Sequence, residues 1–333
     1  MKDIEISIVV PVHNEAAQIP RFFAEVHRLL GDVRFELLFI DDGSTDATWS
    51  GIRALRDEDA RVGGLRLTRN FGKEAAVWSG IEIARGAAVI VMDVDFQHPP
   101  ALLPQMIEFW RSGRWKIVEA RKQSRAPEPF WYRMASSVFY WILQRGTGND
   151  FHGSTDFKLL DRAVVDVLRK LPERVTFFRG ICSWTGVDRT SIDFDVPLAD
   201  RQTRWSVMRL IRFSVDAITS FTPWPLFVVA LAGVIFTLFS IVLGIQTLYM
   251  WASGKAFTGF TTVILLTLIV GAAIMFGLAI LGLYVSRLFD EVKGRPRSIA
   301  LETITPEVAV SAAIPTPDRD ARIVVPGDAA DSK

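Results

Sequence analysis

One cysteine, Cys182, stands in a chain of 333 residues, so no internal disulfide can form and a reducing compartment suits it. No His or Asn pattern points at Cys182, which reads as a small buried apolar residue and not as a nucleophile. Net charge is nearly absent: 38 basic residues against 37 acidic ones leave +1, too little for a broad nucleic-acid footprint, so no nucleic-acid partner is expected. A G-x-G-x-x-G turn is missing after the first strand-like run, which excludes a dinucleotide-dependent oxidoreductase. Met1-Lys2-Asp3 leads into that strand without an apolar leader, and no cleaved signal peptide is expected. His27 and His152 lack a second partner at metal-ligand spacing and read as ordinary residues. No internal repeat is visible.

Charge is also missing from two long apolar runs, Leu226 to Trp251 and Val263 to Val285, parted by a short polar loop with Lys255. Each exceeds the ~20 residues that carry a helix across a bilayer core. Buried core helices of such length keep a polar face, and these do not. Arg201, Arg204, Arg209 and Arg212 precede the first run, and Arg287, Lys293, Arg295 and Arg297 follow the second. Both flanks are therefore expected in the cytoplasm, with a two-pass hairpin between them. The expected division is a soluble domain over 1–200, an interfacial segment over 201–222, a membrane hairpin over 223–288, and a mostly disordered cytoplasmic tail over 289–333.

The N-terminal part alternates strand-like and helix-like stretches, which predicts an α/β domain with a mostly parallel sheet. Strands are expected at Ile6–Val10, Glu36–Ile40, Gly64–Leu67 and Ala88–Met92, and helices at Ala16–Leu30, Ala47–Asp57 and Lys73–Arg85. Two further amphipathic helices, Arg133–Arg145 and Arg204–Ile218, carry aromatic or aliphatic faces opposite basic ones and suit a lipid interface; core packing is their rival reading.

Polar clusters fall at the carboxyl ends of the predicted strands, where ligands of such sheets bind. Asp93 and Asp95, two apart after the fourth strand, can both reach one hard cation, and Gln97 can add an oxygen or hold a water. Alone, that pair reads better as turn-capping carboxylates, and its position after the fourth strand is what favours the cation. Asp41 and Asp42 end the second strand, where a carboxylate accepts from a base edge or a ribose hydroxyl; Ser44 and Asp46 are placed to cap the next helix. Glu15 offers a further acceptor beside them, and Lys73, opening a helix, is placed to meet phosphate or to stay solvated.

The segments VVPVHNEA from Val9, FIDDGSTDAT from Phe39, RNFGKEAA from Arg69 and MDVDFQHPP from Met92 resemble the inverting family 2 glycosyltransferases of GT-A fold. STDFKLLDRAVVDVLRKLPER from Ser154, FFRGICSWTG from Phe177, ITSFTPWPL from Ile218 and YVSRLFDEVKGRP from Tyr284, with the paired apolar runs, narrow the likeness to the polyprenyl-phosphate glycosyltransferases. The resemblance spans about Ile4 to Arg297. It implies that Pro11, Glu15, Asp41 and Asp42 bind the nucleoside of a UDP-sugar donor, with Arg121 at its phosphates. It implies that Asp93, Asp95 and Gln97 hold Mg²⁺ or Mn²⁺, that Asp95 and Asp156 are catalytic, Asp156 on the acceptor side, and that Arg204 meets the acceptor phosphate. The activity so implied is transfer of one sugar, with UDP-glucose the expected donor, to undecaprenyl phosphate at the bacterial plasma membrane. A lipid-linked monosaccharide for envelope glycans would result.

Some positions depart from the family's pattern. His13 stands where tyrosine is usual, Lys158 where arginine is usual, and His98 follows Gln97 where aspartate is common. Leu198 occupies the place of an arginine, for which Arg201 is the expected substitute at the acceptor phosphate. Two rivals stay open: a processive polysaccharide synthase, because Gln202-Thr203-Arg204-Trp205 falls one residue short of Q-x-x-R-W, and an inactive membrane scaffold. Small residues of the second run, Gly271, Ala272, Ala273, Gly277, Ala279 and Gly282, permit close packing within the hairpin or in a homo-oligomer.

Overall fold

The computed structural model describes residues 4–122, 154–171, 178–195, 224–253 and 260–307. Four strands form the first half of the sheet: β1 (Ile6–Val12), β2 (Phe35–Asp41), β3 (Val62–Leu67) and β4 (Ala88–Val91). Their almost unbroken apolar sequence is what strands covered on both faces require, and nearly every residue in them is buried. The intervening helices are α1 (Ile19–Leu29), α2 (Thr48–Glu58) and α3 (Lys73–Ile83). In α1 the buried residues Ile19, Phe22 and Val26 recur at helical spacing, and Phe22 packs edge-on to Phe39 with ring centroids 6.2 Å apart. All seven predicted elements occur, with ends differing by up to three residues.

β1 pairs in parallel with both β2 and β4, and β2 pairs in parallel with β3. Winding therefore reverses between β1 and β4, the position at which open α/β sheets leave a crevice. A short 3-10 turn, Pro100–Leu102, leads into α4 (Leu103–Arg111), then β5 (Ile117–Lys122), β6 (Ser154–Asp161), α5 (Arg162–Lys170), α6 (Phe178–Trp184) and β7 (Arg189–Phe194). β6 runs antiparallel to β4 and β5, and β7 is parallel to β5.

α7 (Trp224–Ala252) and α8 (Phe260–Val292) form a unit separate from the sheet domain. Within them Pro225–Met250 and Leu266–Val292 are long and apolar enough to cross a membrane, and neither apolar stretch is buried in protein. Thr237, Thr247 and Thr267 each donate a hydroxyl to the carbonyl four residues back, at 2.8 Å, which satisfies the hydroxyl without water.

The C-terminal stretch differs from the expectation. Residues 289–333 were to form a tail, but Ala300–Ile304 form β8, antiparallel to β3, and complete the order β7-β5-β6-β4-β1-β2-β3-β8. Side chains anchor it: Trp49 Nε1 donates to Glu302 at 3.0 Å, and the Arg297 guanidinium lies 4.5 Å from the Trp78 ring centre. A five-residue strand that gains its hydrogen bonds from the β3 edge carries little pattern of its own. The two expected interfacial helices, with Leu198, Arg201 and Arg204, and everything beyond residue 307 lie outside the described residues.

Candidate active site

Three strand ends meet at the crevice. Pro11 sits beyond the last β4 pairing of β1, where its missing N–H leaves no bond unmade. Just after β1, Asn14 turns the chain at φ +57°, and the loop is laced to the end of β2. The Asn14 N–H donates to Ser44 Oγ and the Thr45 N–H to Asn14 Oδ1, both at 2.9 Å. His13 Nδ1 donates to the Asp42 carbonyl at 2.9 Å, and its Nε2 accepts from Asn14 and Asn70 at 3.3 Å. The histidine standing where tyrosine is usual therefore braces the crevice wall.

Asp41 and Asp42 play unlike parts. Asp41 is fully buried; Oδ1 accepts from the Ser44 N–H at 2.8 Å, and Oδ2 lies 3.5 Å from Arg66 Nε with no hydrogen-bond partner among the described residues. Asp42 spends both oxygens on backbone, accepting from the N–H groups of Phe71 at 2.7 Å and Gly72 at 2.9 Å. It thus holds the loop that opens α3. Gly43, between Asp42 and Ser44, has φ +66°, and a Cβ there would lie 2.4 Å from the Arg69 carbonyl carbon. Only glycine fits.

α3 approaches the sheet closely because Gly80 leaves room; a Cβ at that position would come 2.2 Å from Val9 Cγ1. This approach carries Lys73, the first residue of α3, over the strand ends. Its Nζ lies 2.7 Å from Asp93 Oδ1 and donates to Asp156 Oδ2 at 2.9 Å. Val91 pairs with Lys158 across β4 and β6, so continuing that register by two residues brings Asp93 opposite Asp156. Arg179, on α6, grips the same carboxylate from another side, Nε to Oδ1 at 2.6 Å and Nη2 to Oδ2 at 3.0 Å.

Charge follows this geometry. Burial alone would push the Asp156 carboxyl up, but Arg179 and Lys73 more than reverse it and hold it far below the usual carboxylate range. Burial would likewise lower Lys73, and Asp156 and Asp93 instead keep it above the ordinary lysine value. Neighbouring Glu74 has its pKa pushed up to about 7, first by burial and then by Asp156, while its Oε2 accepts from the Phe178 N–H at 3.0 Å.

Asp95 follows β4 and Glu15 follows β1. Both carboxyls are pushed up, first by burial and then by neighbouring carboxylates: Asp93 acts on Asp95, and Asp95, Asp46 and Asp93 act on Glu15. Such crowding of hard oxygens is relieved by a divalent cation, and Asp93 and Asp95 fit one. Among the described residues no group of three His, Cys, Asp or Glu side chains stands at metal-ligand spacing, so water or ligand oxygens would complete the shell. Asp95 Oδ1 accepts from the Gln97 N–H at 3.0 Å, with the Gln97 side chain exposed and Phe96 between them at φ +59°. A bulky residue in that region is strained, and the strain sits next to the candidate ligand.

Arg121 lies one strand outward on β5, opposite Ser154, with Nε 3.9 Å from Glu119 Oε1. Lys158, buried where an arginine is usual, pairs with Glu119 and donates to Ser154 Oγ at 3.0 Å. His98 is buried against Phe157, with Nδ1 3.5 Å from Asp93; burial, opposed by Asp93, holds its imidazole below the usual value. Cys182 is buried, and burial pushes its thiol up to about 12, as an inert cysteine requires. Sequence reasoning missed Arg179 and Glu74. Their signals were present, Arg179 inside FFRG and Glu74 next to Lys73, but only the packing of α6 on β6 and α3 reveals their target.

Residues 7–169 match the profile of the family described as Glycosyl transferase family 2. An uncharacterized glycosyltransferase of Synechocystis sp. is 34% identical over 301 residues, covering 88% of this chain and 93% of that protein. The SfII prophage-derived bactoprenol glucosyl transferase of Shigella flexneri is 35% identical over 306 residues, covering 89% of this chain and 97% of that protein. Among solved structures, glucosyl-3-phosphoglycerate synthase from Mycobacterium tuberculosis, in complex with Mn²⁺, uridine diphosphate and phosphoglyceric acid, is similar at a TM-score of 0.49. Identity there is 18%, over 65% of this chain and 76% of that one.

Proposed function

The chain belongs to glycosyl transferase family 2, and we propose that within it the protein moves one glucose from UDP-glucose to the phosphate of undecaprenyl phosphate, inverting the sugar's C1. It is a glycosyltransferase with a GT-A-type sheet. The polyprenyl acceptor is supported by relatives named bactoprenol glucosyl transferase over most of both chains and by the two candidate membrane spans. A lipid acceptor at headgroup depth calls for a water-facing donor site tethered to the bilayer. In this reading α7 and α8 both cross the plasma membrane and the sheet domain lies in the cytoplasm.

The observation that carries the reading is the state of Asp156. Cationic donors occupy both of its oxygens and hold it ionised, so it is poorly suited to take a proton from a hydroxyl acceptor. A phosphate monoester is anionic near neutral pH and attacks without a base. Asp156 then keeps Lys73 and Arg179 aimed at the place where the acceptor phosphate and the donor phosphates converge, a placement for cations that stabilises the negative charge of both. Asp41, with its unfilled buried oxygen, faces the nucleoside together with Glu15 and Pro11, and Asp42 holds the Lys73 loop. Asp93 and Asp95, with Gln97, would hold Mg²⁺ or Mn²⁺, which supplies charge neutralisation for the departing diphosphate. Arg121 is assigned to the phosphates of the donor, and Arg201 and Arg204 to the acceptor phosphate.

The test is transfer of radiolabelled sugar from a panel of UDP- and GDP-sugars to undecaprenyl phosphate, with Mn²⁺ or EDTA and beside Asp95→Ala. Metal-dependent and Asp95-dependent transfer from UDP-glucose is expected. Transfer from another donor alone would correct the sugar, and none from any donor would overturn the reading.

A further inference from the structure

Lys73 and Glu74 are adjacent in the first turn of α3, yet both serve the same carboxylate by different routes. Lys73 touches Asp156 directly at 2.9 Å. Glu74 accepts the N–H of Phe178 at 3.0 Å, and the next residue along α6, Arg179, grips Asp156 at 2.6 and 3.0 Å. The Phe178 N–H opens a helix, where the first amides have no partner within the helix itself. A carboxylate from another element fills that vacancy, so the direction in which α6 starts is set by α3. The groups facing Glu74 are Asp156 from β6, Arg179 from α6 and Lys73 from α3.

We infer that Glu74 is a positioning residue for the acceptor side of the reaction: by tethering the first turn of α6 to α3 it holds the Arg179 guanidinium on Asp156. A carboxyl turned inward beside another carboxylate is electrostatically unfavourable, and burial pushes it up to about 7. What the tether requires is an acceptor oxygen at this place. An apolar side chain there would strand the Phe178 N–H, and a glutamine would keep an oxygen to accept it.

The kinetic part of this inference rests on the polyprenyl-phosphate reading above; the tether itself does not. Two measurements on the full-length protein therefore test it. Hydrogen–deuterium exchange over 178–184 is expected to quicken about tenfold in Glu74→Ala and to return to near the wild-type rate in Glu74→Gln, as loss and recovery of one hydrogen bond require. With UDP-glucose and undecaprenyl phosphate, Glu74→Ala is expected to raise the acceptor KM about tenfold with the donor KM nearly unchanged, and Glu74→Gln to recover most of it. Unchanged exchange in Glu74→Ala would overturn the tether even if no sugar is transferred. Equal impairment of donor and acceptor, or no rescue by glutamine, would reduce Glu74 to a structural role and overturn the assignment to the acceptor side.

Discussion

Lys73 and Asp156 meet at 2.9 Å although 83 residues separate them in the chain. The contact joins the helix after β3 to the strand that runs antiparallel beside β4, and it exists because Gly80 lets α3 lie close on β1. Asp93 shares the same ammonium. Lys73→Met leaves two neighbouring carboxylates without this cation, which costs about 1–3 kcal/mol for charged groups losing a partner. We expect at least about a hundredfold loss of kcat/KM, the order for a preorganised charge at a transferring phosphate, with Lys73→Arg recovering part. Thermal unfolding and steady-state kinetics on the three proteins check this.

Asp156 is held below the ordinary carboxylate range, so its ion pairs stabilise the fold above pH ~4 and that stability is lost as the pH falls further and the group is protonated. Asp156→Asn removes this contribution. The variant should unfold at lower temperature than wild type at pH 7, with the gap narrowing towards pH 3, in melts recorded across that range.

Glu74 titrates with the opposite sign. Its pKa is raised to about 7, so below the unfolded value it is neutral in both states, and stability is lost as the pH climbs towards and through 7 and the buried carboxyl ionises. Glu74→Gln carries no such charge and should gain about 1–3 kcal/mol relative to wild type between pH 5 and pH 8, since a tenfold difference in proton affinity between folded and unfolded chains is worth about 1.4 kcal/mol. Chemical denaturation at the two pH values measures the difference.

Much of this fold was legible because buried parallel strands and their helices write apolar runs of characteristic length, and the first seven elements followed. The strand-end carboxylates Asp41, Asp93 and Asp95 and the loop residue Glu15 were singled out by position and by the resemblance, since the carboxyl ends of parallel strands gather the ligand groups of such sheets. Asp156 needed the resemblance, because its place depends on an antiparallel register that no local pattern encodes. Arg179 and Glu74 were illegible for the same reason: their roles are defined by contacts across α3, β6 and α6. β8 escaped because an edge strand draws its hydrogen bonds from its neighbour. Asp42, read as a ligand residue, also holds the Phe71–Gly72 backbone through both oxygens, a role that no local pattern showed.

Gly43 links the two halves of the donor side. Gly43→Ala would force a left-handed φ on alanine and press its Cβ against Arg69 and Asn70, in the loop that leads to Lys73. Strain and clash together should cost at least about 2 kcal/mol. UDP binding by calorimetry should weaken along with the melting temperature, whereas an alanine at Gly51 of α2, where a Cβ meets nothing within 4 Å, should lower neither.

An ionised, doubly gripped Asp156 suits an acceptor that brings its own negative charge. Purified protein given UDP-glucose should glucosylate undecaprenyl phosphate and leave undecaprenol, its alcohol counterpart, untouched. Comparable transfer to the alcohol would show that Asp156 works as a base and would contradict the account.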